Sequence, residues 1–288
     1  MSSPHPLPVY LGDLKGILLA TAAIVRDLFQ KKQPVRKKLD GTPLTRADVL
    51  ANQYLYEELS HLLPGASWLS EESAQDLGRL DRTWVWLVDP LDGTKEFARD
   101  VPEFAISVAL IHEHRVVLGG VINPVNGEGG MGTVYGEVCF WGLPPSVARA
   151  ETLMEATACI SRTEVEDGTV IPFKGLVGTT RPVGSVAYKL LRVAAGLEDL
   201  TFSVQHKSEW DIGGGIGLLH SVGKVYRRFD DKPVLFNQPN TRIRCGGVAG
   251  RNDLVMQFIH NFREMESFSK KILSHPGKET HFPAGKKE

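Results

Sequence analysis

The stretch Trp84-Val85-Trp86-Leu87-Val88-Asp89-Pro90-Leu91-Asp92-Gly93-Thr94 decides how this chain is read. Its first five residues are an unbroken apolar run with β propensity, the pattern of a buried strand. The run ends on Asp89, and a second carboxylate, Asp92, follows within one tight turn. Pro90 fixes φ and removes a donor, and Gly93 lets backbone approach a ligand closely, so both carboxylates and the Leu91 carbonyl can converge on a cation. Hard oxygen donors of this kind suit magnesium. The polar run Lys95-Glu96-Phe97-Ala98-Arg99 reads as a helix, and the amides of Gly93 and Thr94 at its start favour an anion such as phosphate. Taken alone, Asp-x-x-Asp-Gly-Thr reads equally as a capped turn, because Asp, Gly and Thr are common there.

Outward from this stretch, Leu14, Ile17, Leu18, Ile24, Val25 and Leu28 recur at helical spacing and predict an amphipathic helix over residues 11–30. A second helix is expected over 46–63. Thr42-Pro43-Leu44-Thr45 offers a cap hydroxyl and a proline before it, and Pro64-Gly65 stops it. Asp48 then lies in its first turn. Residues 104–111 and 116–122 read as further strands and 123–132 as a loop. Beyond Pro144-Pro145, expected strands at 156–160 and 174–178 alternate with helices at 185–195 and 212–221. The fold class is therefore a layered α+β and α/β sandwich. Residues 1–150 form an α+β half with the metal and phosphate motifs, 151–265 an α/β half supplying Asp211, and 266–288 a flexible tail.

Two more acidic places suit the same site: Glu71-Glu72 after Ser70 in a turn, and Trp210-Asp211 ahead of Gly213-Gly214-Gly215. A cluster of carboxylates either raises its pKa values or gathers cations. A formal net charge of -1 over 288 residues gives no bulk attraction to nucleic acid or membrane, so a polyanion must be bound locally. The most apolar early stretch, Ile17 to Val25, is cut off by Lys15 and Arg26, short of the ~20 residues a membrane-spanning helix needs. The N-terminus reads without a secretory leader. Cys139, Cys159 and Cys245 form no Cys-x-x-Cys pair, and their odd number leaves at least one unpaired within the chain. A reducing, cytoplasmic location is the simpler reading.

Read together, these pieces resemble the inositol monophosphatase superfamily of lithium-sensitive, magnesium-dependent phosphatases. Lys38-Leu39-Asp40-Gly41-Thr42-Pro43-Leu44-Thr45-Arg46-Ala47-Asp48, Ser70-Glu71-Glu72-Ser73, Asp89 to Thr94, and Glu209-Trp210-Asp211 stand in the family order at family-like spacing. The likeness covers most of residues 11–260. It implies that Glu71, Asp89, Asp92, Asp211 and the Leu91 carbonyl hold two or three magnesium ions, with Asp48 binding a further, weaker metal or positioning water. It implies catalytic roles for Asp48, Glu71 and Thr94, the last orienting the attacking water. Glu71, Leu91, Asp92, Gly93, Thr94, Lys95 and Asp211 would surround the substrate. The implied reaction is in-line attack of water on phosphorus without a covalent phosphoenzyme, magnesium activating the water and neutralising charge. Read singly, each residue keeps an ordinary alternative: Asp48 as a helix cap, Glu71 as a solvated turn acid, Asp211 as a helix start, Thr94 as the cap after Gly93.

The run Gly93-Thr94-Lys95-Glu96-Phe97 resembles the 3'(2'),5'-bisphosphate nucleotidase branch, which converts adenosine 3',5'-bisphosphate to AMP and phosphate. Inositol monophosphatases more often carry Thr-Asn-Phe after the Gly. Lys95 would pair with the second phosphate, though it reads equally as a solvated lysine. His206 and Lys207 are further candidates for the part of the substrate beyond the scissile phosphate. Two departures bear on substrate choice and packing: the glycine-rich run after Asn123-Pro124, and Gly213-Gly214 where relatives often have Ala-Ala. An inositol-1-monophosphatase or related sugar or polyol phosphatase is the alternative. A non-catalytic metal or nucleotide sensor is the alternative of another class, and retention of Glu71, Asp89, Asp92, Thr94 and Asp211 argues against it. The expected partner is a small phosphate monoester rather than a nucleic-acid polymer or a membrane, and the expected state a monomer or homodimer.

Overall fold

Alternate side chains of one strand face two different cores, and that alternation sets the layers. The computed structural model describes residues 7–31, 34–37, 43–74, 76–144, 146 and 150–265. In chain order it runs α1 (Leu7–Gln30), the ribbon strands β1 (Arg36–Lys37) and β2 (Pro43–Leu44), α2 (Arg46–Leu62), β3 (Ser67–Ser70), β4 (Trp84–Asp92), α3 (Thr94–Ala98), β5 (Ala105–His112), β6 (Arg115–Ile122), β7 (Gly129–Thr133) and β8 (Val138–Trp141). It continues with β9 (Thr157–Ser161), α4 (Arg162–Glu166), β10 (Thr179–Val183), α5 (Val186–Ala194), β11 (Leu200–Ser203), β12 (Lys207–Ser208), α6 (Glu209–Ser221), β13 (Val225–Arg228), β14 (Arg242–Ile243), β15 (Gly247–Gly250) and α7 (Asn252–Glu264). Strands β3 to β8 form one sheet in sequence order, and a second sheet is ordered β10-β9-β11-β15-β13.

Along β4, Trp86 and Val88 enter the core beneath α1 and α2, while Val85 and Leu87 enter the core shared with α5 and α6. The period of two is that of a strand covered on both faces. Cys159 and Ala249 of the second sheet close the other side of the α5/α6 layer, and Ile160, Phe202 and Val248 turn away to pack on Phe258 and Phe262 of α7. The layers are thus helices, sheet, helices, sheet, helix, the expected layered sandwich. The middle layer lies unusually close to the first sheet. A Cβ on Gly214 would stand 2.7 Å from Ser107 Oγ and 2.8 Å from the Gly120 carbonyl, so only glycine admits this approach. The departure at Gly213-Gly214 therefore serves helix packing.

Four expectations are corrected. Residues 129–132 are strand, not loop: β7 pairs with β6 and β8, and the rings of Trp141 and Phe140 cover Gly129 and Gly130, replacing the side chains that glycine lacks. Residues 174–178 are not a strand. A 3-10 turn occupies Ile171–Leu176, with Pro172 at its start, and pairing begins at Thr179. Helix α6 begins at Glu209, so Asp211 sits inside its first turn rather than ahead of it. Strand β4 runs on to Asp92 instead of ending at Asp89. The motif piece Lys38 to Thr42 and the tail 266–288 lie outside the described residues. Among those described, no helix is long and apolar enough to cross a membrane, and all three cysteines are free.

Candidate active site

Two carboxylates three residues apart in a regular strand would face opposite sides. Here Asp89 pairs with Ser107 and Asp92 with Ala105, so β4 advances three residues against two on β5. The extra residue is a β-bulge, and it returns Asp92 to the side of Asp89. That side faces α5 and α6. The Leu91 amide donates to Asp89 Oδ1 at 3.0 Å, and Gly93 completes the turn at φ 98°, a conformation that favours glycine.

Each remaining acid is tied back by its own element. Asp48 closes a capping box at the start of α2, where its Oδ2 accepts from the Thr45 amide at 2.7 Å and the Thr45 hydroxyl at 2.6 Å. Its Oδ1 lies 3.2 Å from Thr94 Oγ1, which is also 3.1 Å from the Leu91 carbonyl. Asp48 is thus both a cap and a neighbour of Thr94. Asp211 closes a capping box at α6, its Oδ2 accepting from the Ser208 amide at 2.9 Å. Glu209, two residues earlier, accepts from the amides of Asn237 at 2.6 Å and Gln238 at 2.9 Å, anchoring the start of that helix. Glu71 follows β3, and its amide donates to the Val88 carbonyl at 3.3 Å.

Electrostatics joins these segments. Burial pushes the Asp89 carboxyl well above its ordinary range, and the charges of Glu71, Asp92 and Asp211 push it further. Burial and then Asp92 raise Asp211 to about 7, with Glu71 adding to the rise and the Ser208 amide and Lys207 opposing it. Asp48 is raised chiefly by burial, with a smaller contribution from Glu71, against the hydrogen bonds from Thr45 and Thr94. Five acids from four separate segments therefore share one like-charged place. Among the described residues, no group of three or more His, Cys, Asp or Glu side chains is placed to hold a metal ion as it stands. The donor chemistry nevertheless fits a hard divalent cation. All the groups are oxygens, and no donor among the described residues reaches Asp89 Oδ2, Asp92 Oδ1 or Asp211 Oδ1.

Lys95 is exposed and pairs with no acid among the described residues. Lys207, by contrast, reaches buried Glu164 at 3.5 Å, and the His206 ring contacts the exposed Arg242 guanidinium. Sequence reasoning missed Ser185. Its hydroxyl donates to Asp92 Oδ2 at 2.6 Å, and the Ala187 amide donates to the same oxygen at 2.6 Å. A serine ahead of an apolar helix is a legible cap signal, but its partner lies 93 positions earlier.

The sequence model of the Inositol monophosphatase family matches residues 13–264. The 3'(2'),5'-bisphosphate nucleotidase CysQ of Aggregatibacter actinomycetemcomitans is 29% identical over 252 residues, covering 83% of this chain and 92% of the relative. An inositol-1-monophosphatase of Bacillus subtilis is 25% identical over 252 residues, covering 85% and 94%. The crystal structure of the extragenic suppressor protein suhB from Bartonella henselae superposes with a TM-score of 0.74 at 22% identity, over 90% of this chain and 99% of that one.

Proposed function

Given that the chain belongs to the inositol monophosphatase family, and is thus a phosphatase acting on small phosphate esters, we propose that it is a 3'(2'),5'-bisphosphate nucleotidase. Adenosine 3',5'-bisphosphate and water would give AMP and inorganic phosphate. The convergence of Glu71, Asp89, Asp92 and Asp211 about the bulge of β4 carries the phosphatase chemistry, and the CysQ relatives and exposed Lys95 beside the central turn support the nucleotide choice. The family is generally magnesium-dependent, and these four acids with the Leu91 carbonyl would hold two or three ions. When bound, magnesium supplies neutralising charge and an acidified water.

The chain's own groups do the rest. Thr94, donating to Asp48 or to the Leu91 carbonyl, keeps oxygen lone pairs to accept from the attacking water and orient it. Thr45 holds Asp48 Oδ2, which keeps Oδ1 turned to Thr94. The first amides of α3 have no carbonyl of their own helix to donate to, and they suit phosphate oxygens. Lys95 stands exposed in that turn, where it would meet the second phosphate. Residues 1–150 carry Asp48, Glu71 and the central turn in this reading, and residues 151–265 bring Asp211 and Ser185 to them. A lithium-inhibited, cytoplasmic monomer or homodimer completes the proposal.

Relatives of both substrate classes match at similar identity, so inositol 1-phosphate is the second reading. Phosphate release from adenosine 3',5'-bisphosphate, inositol 1-phosphate and fructose 1,6-bisphosphate in magnesium separates them. The highest kcat/KM should belong to the bisphosphate nucleotide, and a preference for inositol 1-phosphate would overturn that choice.

A further inference from the structure

Asp92 is held from across the molecule. Its Oδ2 is occupied twice, by the Ser185 hydroxyl at the N-cap of α5 and by the Ala187 amide in the first turn. Ser185 pays for this contact with φ 51°, a region that non-glycine residues rarely enter unless their surroundings force them. Several bonds hold it there. The Tyr188 amide donates to Ser185 Oγ at 3.0 Å, and Lys189 Nζ donates to the Ser185 carbonyl at 2.8 Å and the Val183 carbonyl at 3.3 Å. Beside it, the Gly184 amide donates to Glu103 at 2.8 Å.

Tyr188 joins this turn to a second, distant anchor. Its ring is buried, and its hydroxyl donates to the Glu128 carboxylate while accepting from Asn126 Nδ2 at 2.9 Å and Arg192 Nη1 at 3.2 Å. Arg192 also reaches Glu128 at 3.3 Å and grips Glu198 with Nε at 3.0 Å and Nη2 at 2.9 Å. Burial and the hydrogen bond to Glu128 push the phenol up to about 12. Asn126 and Glu128 belong to the loop that departs from the family pattern. That loop is stiffened by Asn123, whose Oδ1 accepts from the amides of Val125 and Asn126 at 2.9 and 3.3 Å.

We propose that Ser185 and Tyr188 are positioning residues for Asp92. The Tyr188 hydroxyl, held by Glu128, Asn126 and Arg192, fixes the first turn of α5, and that turn occupies Asp92 Oδ2 so that only Oδ1 is offered to a cation. Asp92 would then ligate through one oxygen. This rests on the magnesium-phosphatase reading above.

The test measures magnesium binding to the full chain by titration calorimetry, alongside phosphate release and the melting temperature in EDTA. Ser185→Ala should weaken magnesium binding about 10–100-fold, the range for groups that hold a metal ligand in place. Tyr188→Phe keeps the ring and should weaken it in the same direction by a smaller factor. Because both act along one link, the double variant should bind no more than about twofold worse than Ser185→Ala alone. Factors that multiply, or a Tyr188→Phe that melts lower with unchanged magnesium affinity, would overturn the proposal. If Tyr188→Phe does not fold, Glu128→Gln tests the same link with the same expected weakening, and unchanged affinity there overturns it. A wild-type chain that binds magnesium but cleaves no ester removes the phosphatase reading and leaves the positioning role standing. A wild-type chain that binds no magnesium overturns both.

Discussion

Asp92→Asn is a sharp perturbation because the structure dictates how the new amide must sit. Two donors, the Ser185 hydroxyl and the Ala187 N–H, meet Oδ2 at 2.6 Å each, so the amide must put its oxygen there. Its NH2 then takes the place of Oδ1. An acceptor facing the cation becomes a donor with partial positive charge. A unit charge about 4 Å from a cation, at an effective dielectric near 20, is worth about 4 kcal/mol per cation charge. One such unit corresponds to about a thousandfold in rate or affinity, so for a divalent ion about a thousandfold is the least loss expected. The fold loses far less. The amide oxygen still accepts both hydrogen bonds, at a cost of about 1 kcal/mol for the lost charge assistance. Against that cost, the Asp92 charge is one of the causes that raise Asp89 and Asp211, so its removal relieves repulsion. Turnover should fall by at least about a thousandfold, with the melting temperature in EDTA close to wild type and the magnesium-induced rise gone. Phosphate release against magnesium, with thermal melts in magnesium and in EDTA, reads all three. Near-normal turnover with an undiminished magnesium-induced rise would refute Asp92 as an essential ligand. An unfolded variant would refute the hydrogen-bond account.

Calcium in place of magnesium should depress turnover, because the larger ion accepts looser geometry and more ligands; equal initial rates in the two metals would contradict the mechanism. Lys95→Met should raise KM selectively for a bisphosphate. An exposed charge pair is worth up to about 1 kcal/mol, about fivefold, and a larger selective loss would mean that bound substrate excludes water around Lys95. Equal effects on adenosine 3',5'-bisphosphate and inositol 1-phosphate would remove Lys95 from recognition of the second phosphate. Gly214→Ala should destabilise by about 1–3 kcal/mol despite the better helix propensity of alanine, because backbone oxygens of the first sheet block the methyl. Gly16→Ala, with nothing within 4 Å of its Cβ, should gain up to about 1 kcal/mol. Urea unfolding of the two variants checks the contrast, and an equal sign for both would refute the packing account.

Local signals carried much of this protein. The apolar run before Asp89, the helical spacing of α1 and the cap and first turn of α2 are all set by neighbours within about four residues, where hydrogen bonding and periodicity act directly. The same range made Asp89 and Asp92 legible as a pair and placed Asp48 in a first turn. Beyond that range, the sequence named acids without placing them. Tertiary structure decided that residues 129–132, poor in strand propensity, become a central strand, because β6 and β8 supply both ladders and two aromatic rings cover the glycines. It set the start of α6 at Glu209, where the amides of Asn237 and Gln238 hold the first residue. It also turned Ser185 from an ordinary cap into the partner of Asp92. That contact spans 93 positions and exists only because both faces of the first sheet are covered and α5 begins against the bulge in β4. A cap signal specifies a donor or acceptor, and only the packed layers choose what it meets.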